Sequence, residues 1–193
     1  MLIEIPPSEN EYTSVWDKPV PIIEVTSKLY RVYILDKIGA PVEYGELVEL
    51  LLDLDESTVV EFYINTPGGV LDSAKMLLNA VRTTKARTIG KLSGGVASAG
   101  TMIALAMDDI EVAPFTDFMI HSWSVQGQSG KANEIEAQNN HMKKETRVLF
   151  DAVYKGFLTS REIKKVIDGT DMWMSSEEIM KRLGKRATTL KNS

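Results

Sequence analysis

The sequence predicts an α/β protein, a parallel sheet of β-α units covered by helices, and three observations carry that prediction. Segments rich in strand formers alternate with segments whose apolar residues recur at helical spacing. Two glycine-containing loops fall at strand ends, where open parallel sheets collect ligands. The composition, 44% hydrophobic and 25% charged over 193 residues, suits a globular domain long enough to bury a core.

Taken in order, residues 1–28 hold four of the seven prolines and little periodicity, and read as an N-terminal arm. From Leu29 a single domain extends to residue 193. Leu29–Leu35 is a strand and Glu43–Leu52 a helix; Val59–Ile64 is the next strand and Leu71–Val81 the next helix. Arg87–Leu92 is a third strand, followed by the apolar helix Ala99–Ala106 and two short strands, Ile110–Val112 and Phe118–Ile120. Residues 131–156 form one long helical pattern, about 40 Å if continuous. Its first half is too polar for a core, yet Ile135, Met142 and Leu149 recur every seven residues. A lone solvated helix and a helix projecting onto a partner both fit that pattern. Thr159-Ser-Arg-Glu162 and Ser175-Ser-Glu-Glu178 have capping-box spacing, so two helices follow, with Asp168, Asp171 and Trp173 in the connector between them.

Composition excludes several kinds of chemistry. With no cysteine there is no disulfide, thiolate nucleophile or Cys-based metal site. Two histidines twenty residues apart do not make a transition-metal site, so no metal or cofactor is expected. A net charge of −5 without clustered Lys and Arg argues against nucleic acid as a partner. No stretch approaches the roughly 20 apolar residues a membrane span needs. The N-terminus lacks a basic region and a long apolar run, and a cytoplasmic location is expected.

Chemistry is sought in the two loops. Ser93-Gly-Gly-Val-Ala-Ser98 leads from a strand into an apolar helix, where a hydroxyl is exposed near backbone N–H groups. Ser98 as a nucleophile and Ser98 as a simple helix cap both fit. Asn65-Thr-Pro-Gly-Gly69 offers free N–H groups for an oxyanion, or is an ordinary turn. Acyl transfer needs both parts from separate backbone segments, which makes the pair more telling than either loop. His121 ends a buried apolar strand, whereas His141 lies in the polar half of the long helix. If a Ser–His pair operates, His121 is its base.

Four motifs then agree with one family. Tyr63-Ile-Asn-Thr-Pro-Gly-Gly69, Gly95-Val-Ala-Ser-Ala-Gly100, Phe118-Met-Ile-His121 and Asp171-Met-Trp-Met-Ser-Ser-Glu-Glu178 resemble the ClpP family, the proteolytic subunits of Clp-type proteases. The resemblance covers roughly residues 29–184. It implies the ClpP/crotonase-like spiral of β-β-α units with a projecting handle helix at about 131–156. It also implies a serine peptidase with Ser98 as nucleophile, His121 as base, Asp171 as third member and the N–H groups of Gly69 and Ala99 as oxyanion donors. Asp168 is the fallback for the third position. Polypeptide would bind extended between the loop after Gly69 and a strand after His121.

Further implications are a homo-oligomer of stacked, heptameric rings and an AAA+ unfoldase partner that uses the ATP. The family's Gln-Pro after the histidine is replaced by Ser122-Trp123, and the first 28 residues do not match its axial loops. The competing readings are a crotonase-like acyl-CoA enzyme, a non-catalytic structural subunit, and a Ser–Lys dyad using Lys91 or Lys131.

Overall fold

The computed structural model describes residues 16, 18, 20–26, 28–123 and 130–191, with side chains to residue 187. Most of the expected arm, and the stretch after Trp123 expected to flank bound polypeptide, lie outside the described residues.

The chain forms an α/β fold on one seven-stranded sheet. Strand β1 (Ile22–Thr26) pairs antiparallel with β2 (Leu29–Ile34), so the end of the segment read as an arm joins the sheet. A 3-10 turn (Pro41–Tyr44) leads into α1 (Gly45–Asp53). Next come β3 (Val59–Thr66), α2 (Leu71–Thr83), β4 (Arg87–Ala97) and α3 (Ala99–Ala104). Strands β5 (Asp109–Val112) and β6 (Asp117–Ile120) precede the long helix α4 (Ala132–Tyr154). The chain ends with α5 (Ser160–Ile167), β7 (Met172–Ser175) and α6 (Ser176–Lys191). The sheet order is β1-β2-β3-β4-β6-β7, with β5 also on β4.

Alternation within the strands explains the layers. Val60, Phe62 and Ile64 of β3 face one way and are essentially inaccessible, against Leu47 and Leu51 of α1 and Leu77 of α2. On the other face Arg31, Glu61, Lys91 and Glu111 make an ion ladder across β2 to β5, with contacts of 3.0, 3.3 and 2.9 Å. Tyr33 stacks on Tyr63 beside it, 5.0 Å between ring centroids, and Trp16 meets Tyr33 edge-on.

Strand β4 differs from expectation in a way that builds the site. The segment Ser93–Ala97, read as a glycine loop, continues the strand through a bend at Gly94, where φ is 72°. Before the bend β4 pairs with β5; after it Gly95, Val96 and Ala97 pair with Asp117, Phe118 and Met119 of β6. One strand thus serves two neighbours, and its far end is delivered beside the strand that leads to His121.

Strand β7 was also not expected. Four residues between two helical patterns give too short a period-2 signal, but Met174 is buried against the core and Phe118 pairs with it.

Helix α4 spans about 34 Å at 1.5 Å per residue. Its last third carries the buried Thr146, Phe150, Val153 and Tyr154, whereas the first half is exposed apart from half-buried Ile135, Asn139 and Met142. Leu149, expected to continue the Ile135–Met142 seam, instead packs against the core, because the helix docks on the body from about residue 146 onward.

Candidate active site

The backbone at Ser98 decides what its side chain can do. Ser98 has φ 53° and ψ −124°, one of two non-glycine residues with positive φ among the described residues. Such a conformation costs an L-residue on the order of 1–3 kcal/mol and persists only where the surroundings fix it. Ser98 N–H donates to the Met119 carbonyl at 2.8 Å, and the Ser98 carbonyl accepts from Thr101 N–H at 3.0 Å. Although Ser98 stands at the N-cap position of α3, its side chain makes no capping bond. Its Oγ instead lies 2.7 Å from His121 Nε2. The hydroxyl is thus directed at the imidazole and not at the helix end.

The second loop comes within contact distance of the first. Gly68 has φ 93°, and a Cβ there would stand 2.6 Å from Ser98 Cβ, so no side chain fits. The loop is pinned from below: Ile38 N–H donates to the Gly68 carbonyl and Val70 N–H to the Ile38 carbonyl, both at 2.9 Å. Thr66 Oγ1 accepts from Gly68 N–H and donates to the Asp36 carbonyl. Gly69 is exposed, and its N–H meets no acceptor of the chain among the described residues. Ala99 is the first residue of α3, where helical N–H groups have no intrahelical partner. Asn65 Oδ1 joins the two loops by accepting from Gly95 N–H at 3.1 Å.

Ser98, His121, Gly69 and Ala99 line one pocket of about 260 Å³. Its walls are Met102, Leu149, Phe150 and Trp123, so an apolar recess adjoins the hydroxyl–imidazole pair. Met102 and Phe150 were not singled out from the sequence; Leu149 was read into the helix seam and Trp123 noted only as a departure after the histidine. Their apolar character there signals core, and only the fold turns them toward the serine.

Asp171 sits immediately before β7. Ile120 pairs with Met172, so one further step of the antiparallel register sets Asp171 across from His121. Its side chain is exposed, and among the described residues no hydrogen bond joins it to His121. Asp168 caps the C-terminus of α5 and is ion-paired with Lys164 at 2.6 Å. Lys91 is held by Glu61 and Glu111, and Lys131 by Glu134, which leaves neither directed at Ser98. Among the described residues no helix is long and apolar enough to cross a membrane.

A family model described as Clp protease matches residues 23–182. The ATP-dependent Clp protease proteolytic subunit 2 of Borreliella burgdorferi is 29% identical over 142 residues, 72% of this chain and 70% of that one. Proteolytic subunit 3 of Rhizobium etli is 31% identical over 138 residues, 69% of each chain. Proteolytic subunit 1 of Chlamydia muridarum is 30% identical over 125 residues, 63% of this chain and 65% of that relative's length.

Proposed function

The chain belongs to the Clp protease family, and from that premise we propose that it is a serine endopeptidase acting through an acyl-enzyme at Ser98. The observation that carries the reading is the 2.7 Å contact between Ser98 Oγ and His121 Nε2 at a strained strand-to-helix turn. In the proposed cycle His121 takes the Ser98 proton as Oγ attacks the scissile carbonyl. The N–H groups of Gly69 and Ala99 hold the oxyanion, the imidazolium protonates the leaving amine, and water resolves the ester. Asp171 orients the imidazole. The apolar walls beside Ser98 suit a hydrophobic side chain of the substrate.

We further propose that subunits assemble into stacked rings around a chamber and work with a Clp-type AAA+ unfoldase, which uses the ATP, and that the subunit itself needs no cofactor; membership of the family supports this reading. The test is fluorophosphonate labelling and peptide cleavage, each on the wild type and Ser98→Ala. Labelling and turnover should vanish together in the variant.

A second reading, a structural subunit without activity, draws on one observation: Asp171 is exposed and unbonded to His121. An assembled wild type that takes no label would favour it.

A further inference from the structure

We propose that the buried hydroxyl pair Thr101–Tyr154 is a positioning device that ties the base of α4 to the carbonyl of Ser98. The inference rests on the reading of Ser98 as nucleophile, and names two residues that reading does not use.

Thr101 lies in the apolar run of α3, three residues after Ser98, and is wholly buried. Its Oγ1 donates to the Ser98 carbonyl at 2.7 Å and lies 2.7 Å from Tyr154 Oη. A threonine hydroxyl has one proton, and that proton is committed to Ser98. Tyr154 is therefore the donor to Thr101, and the bonds run in one direction: Tyr154 O–H to Thr101 Oγ1, Thr101 O–H to the Ser98 carbonyl. Burial raises the phenol's pKa far above its ordinary value, so the phenol keeps the proton it must donate.

The Ser98 carbonyl thereby accepts twice, from the hydroxyl and the N–H of Thr101. Those two bonds fix the peptide that follows Ser98, and with it the N–H of Ala99. A carbonyl in a strained turn would otherwise be free to rotate toward a relaxed conformation.

Location gives the device its consequence. Tyr154 is the last residue of α4, the same helix whose first half stands uncovered and whose Leu149 and Phe150 wall the pocket. Displacement of α4 moves the phenol and alters the support beneath the nucleophile. A partner that seats on the uncovered half thus acts on Ser98 through a buried pair of oxygens as well as through the pocket wall that α4 supplies.

Tyr154→Phe removes the donor and keeps the ring, and Thr101→Val removes both bonds at nearly constant shape. Thr101→Ser keeps the hydroxyl and serves as the conservative control. Tyr154→Phe should lower kcat for peptide cleavage and the rate of fluorophosphonate labelling by roughly tenfold, the kinetic equivalent of one net hydrogen bond. KM should change little, since the phenol's oxygen bonds Thr101 rather than substrate. Thr101→Val should lose more, and Thr101→Ser should stay near wild type. Amide hydrogen exchange at residues 98–101 is the independent readout: it should quicken in Tyr154→Phe and Thr101→Val but not in Thr101→Ser.

Unchanged exchange and labelling in Tyr154→Phe would overturn the proposal. If the wild type took no label, the nucleophile reading would fail instead. Exchange at the turn would then still decide whether the hydroxyl pair holds it.

Discussion

Ser98 and His121 are held from inside the sheet, whereas Asp171 stands at its edge. Ser98 follows β4 and His121 follows β6, and these strands are paired in parallel, so their register brings the two residues together. Asp171 arrives fifty residues after His121, by way of α4, α5 and a surface connector. It enters ahead of β7, an edge strand of four residues. The pair has closed to 2.7 Å, and the carboxylate stands exposed without a bond to the imidazole. Interior register sets geometry within a single chain. An edge connector is open to adjustment by whatever packs on it, here alongside Trp173, which is 68% exposed. The hydroxyl and the imidazole meet within the single chain, whereas the carboxylate proposed as their third member is not joined to them there.

The largest expected effect tests whether the edge residue completes the site. Asp171→Asn should lower turnover by about 10⁴, as loss of the orienting carboxylate does in serine peptidases. Asp168→Asn should change turnover little, because that carboxylate is engaged with Lys164 at the end of α5. Steady-state peptide cleavage by the two variants checks both halves. If Asp168 proved the more sensitive, the contrast drawn here would be assigned to the wrong residue.

A second experiment asks whether surroundings supply what the single chain lacks. The uncovered half of α4 offers Ile135 and Met142, each half-buried along an otherwise polar surface. Met142→Asp places a charge in that stripe and should separate stacked assemblies, since an unpaired charge is costly to bury. Peptide cleavage should fall in parallel with the mass measured by light scattering. Full activity in a protein of reduced mass would show that Asp171 needs no neighbour to be positioned.

The helices flanking the connector give a smaller effect with a defined pH dependence. Thr159 and Glu162 form the capping box of α5. Arg182 of α6 grips Glu162 with two nitrogens at 2.8 and 3.1 Å and reaches Glu178 at 2.7 Å. Chiefly through the Arg182 bond, the Glu162 carboxyl is lowered to about 2. A carboxylate held below its unfolded value stabilises the fold above that unfolded value. The contribution is lost as pH falls through the folded one. Solvent screening of this partly exposed pair leaves a contribution on the order of 1–2 kcal/mol at neutral pH, declining between about pH 4.5 and 2. Glu162→Gln should therefore cost roughly 1–2 kcal/mol in denaturant unfolding at pH 7, and progressively less below pH 4.5. A pH-independent cost would mean that shape, not charge, locks the two helices on either side of β7.

Much of the fold was legible because its strands alternate strictly and its helices carry clean apolar stripes. Val60, Phe62 and Ile64 announce a buried strand face, and Leu47 with Leu51 a helix beneath it. The loops at the ends of β3 and β4 were legible from their glycines. What stayed hidden depends on long-range pairing. Gly94 reads as a loop residue, yet the strand passes through it by bending and changing neighbours. Strand β7 has too few residues for a local signal and exists because β6 offers an edge. Leu149 has the right heptad spacing for a seam, but the body claims it first. Tyr154 looks like ordinary core until Thr101 is seen beside it; the lone hydroxyl three residues after Ser98 was the one sequence signal.

The smallest expected effect concerns the strain that marks the interior side of the comparison. Ser98 holds φ 53° and ψ −124°, a region glycine occupies freely and other residues do not. Ser98→Ala keeps the strain and loses no cap, only the contact with His121, so its melting temperature should fall by no more than a few degrees. Ser98→Gly removes the strain, on the order of 1–3 kcal/mol, against about 0.5–1 kcal/mol of added unfolded-state entropy. The net gain is about 1 kcal/mol, or roughly 2–4 °C in melting temperature for a chain of this length. Both variants should lack peptidase activity, so calorimetry separates what chemistry requires at this position from what stability prefers. A Ser98→Gly protein no more stable than Ser98→Ala would show that β4, β6 and Thr101 hold the turn without strain. Preorganisation of the nucleophile would then carry no cost to the fold, and the interior pair would differ from the edge residue in distance alone.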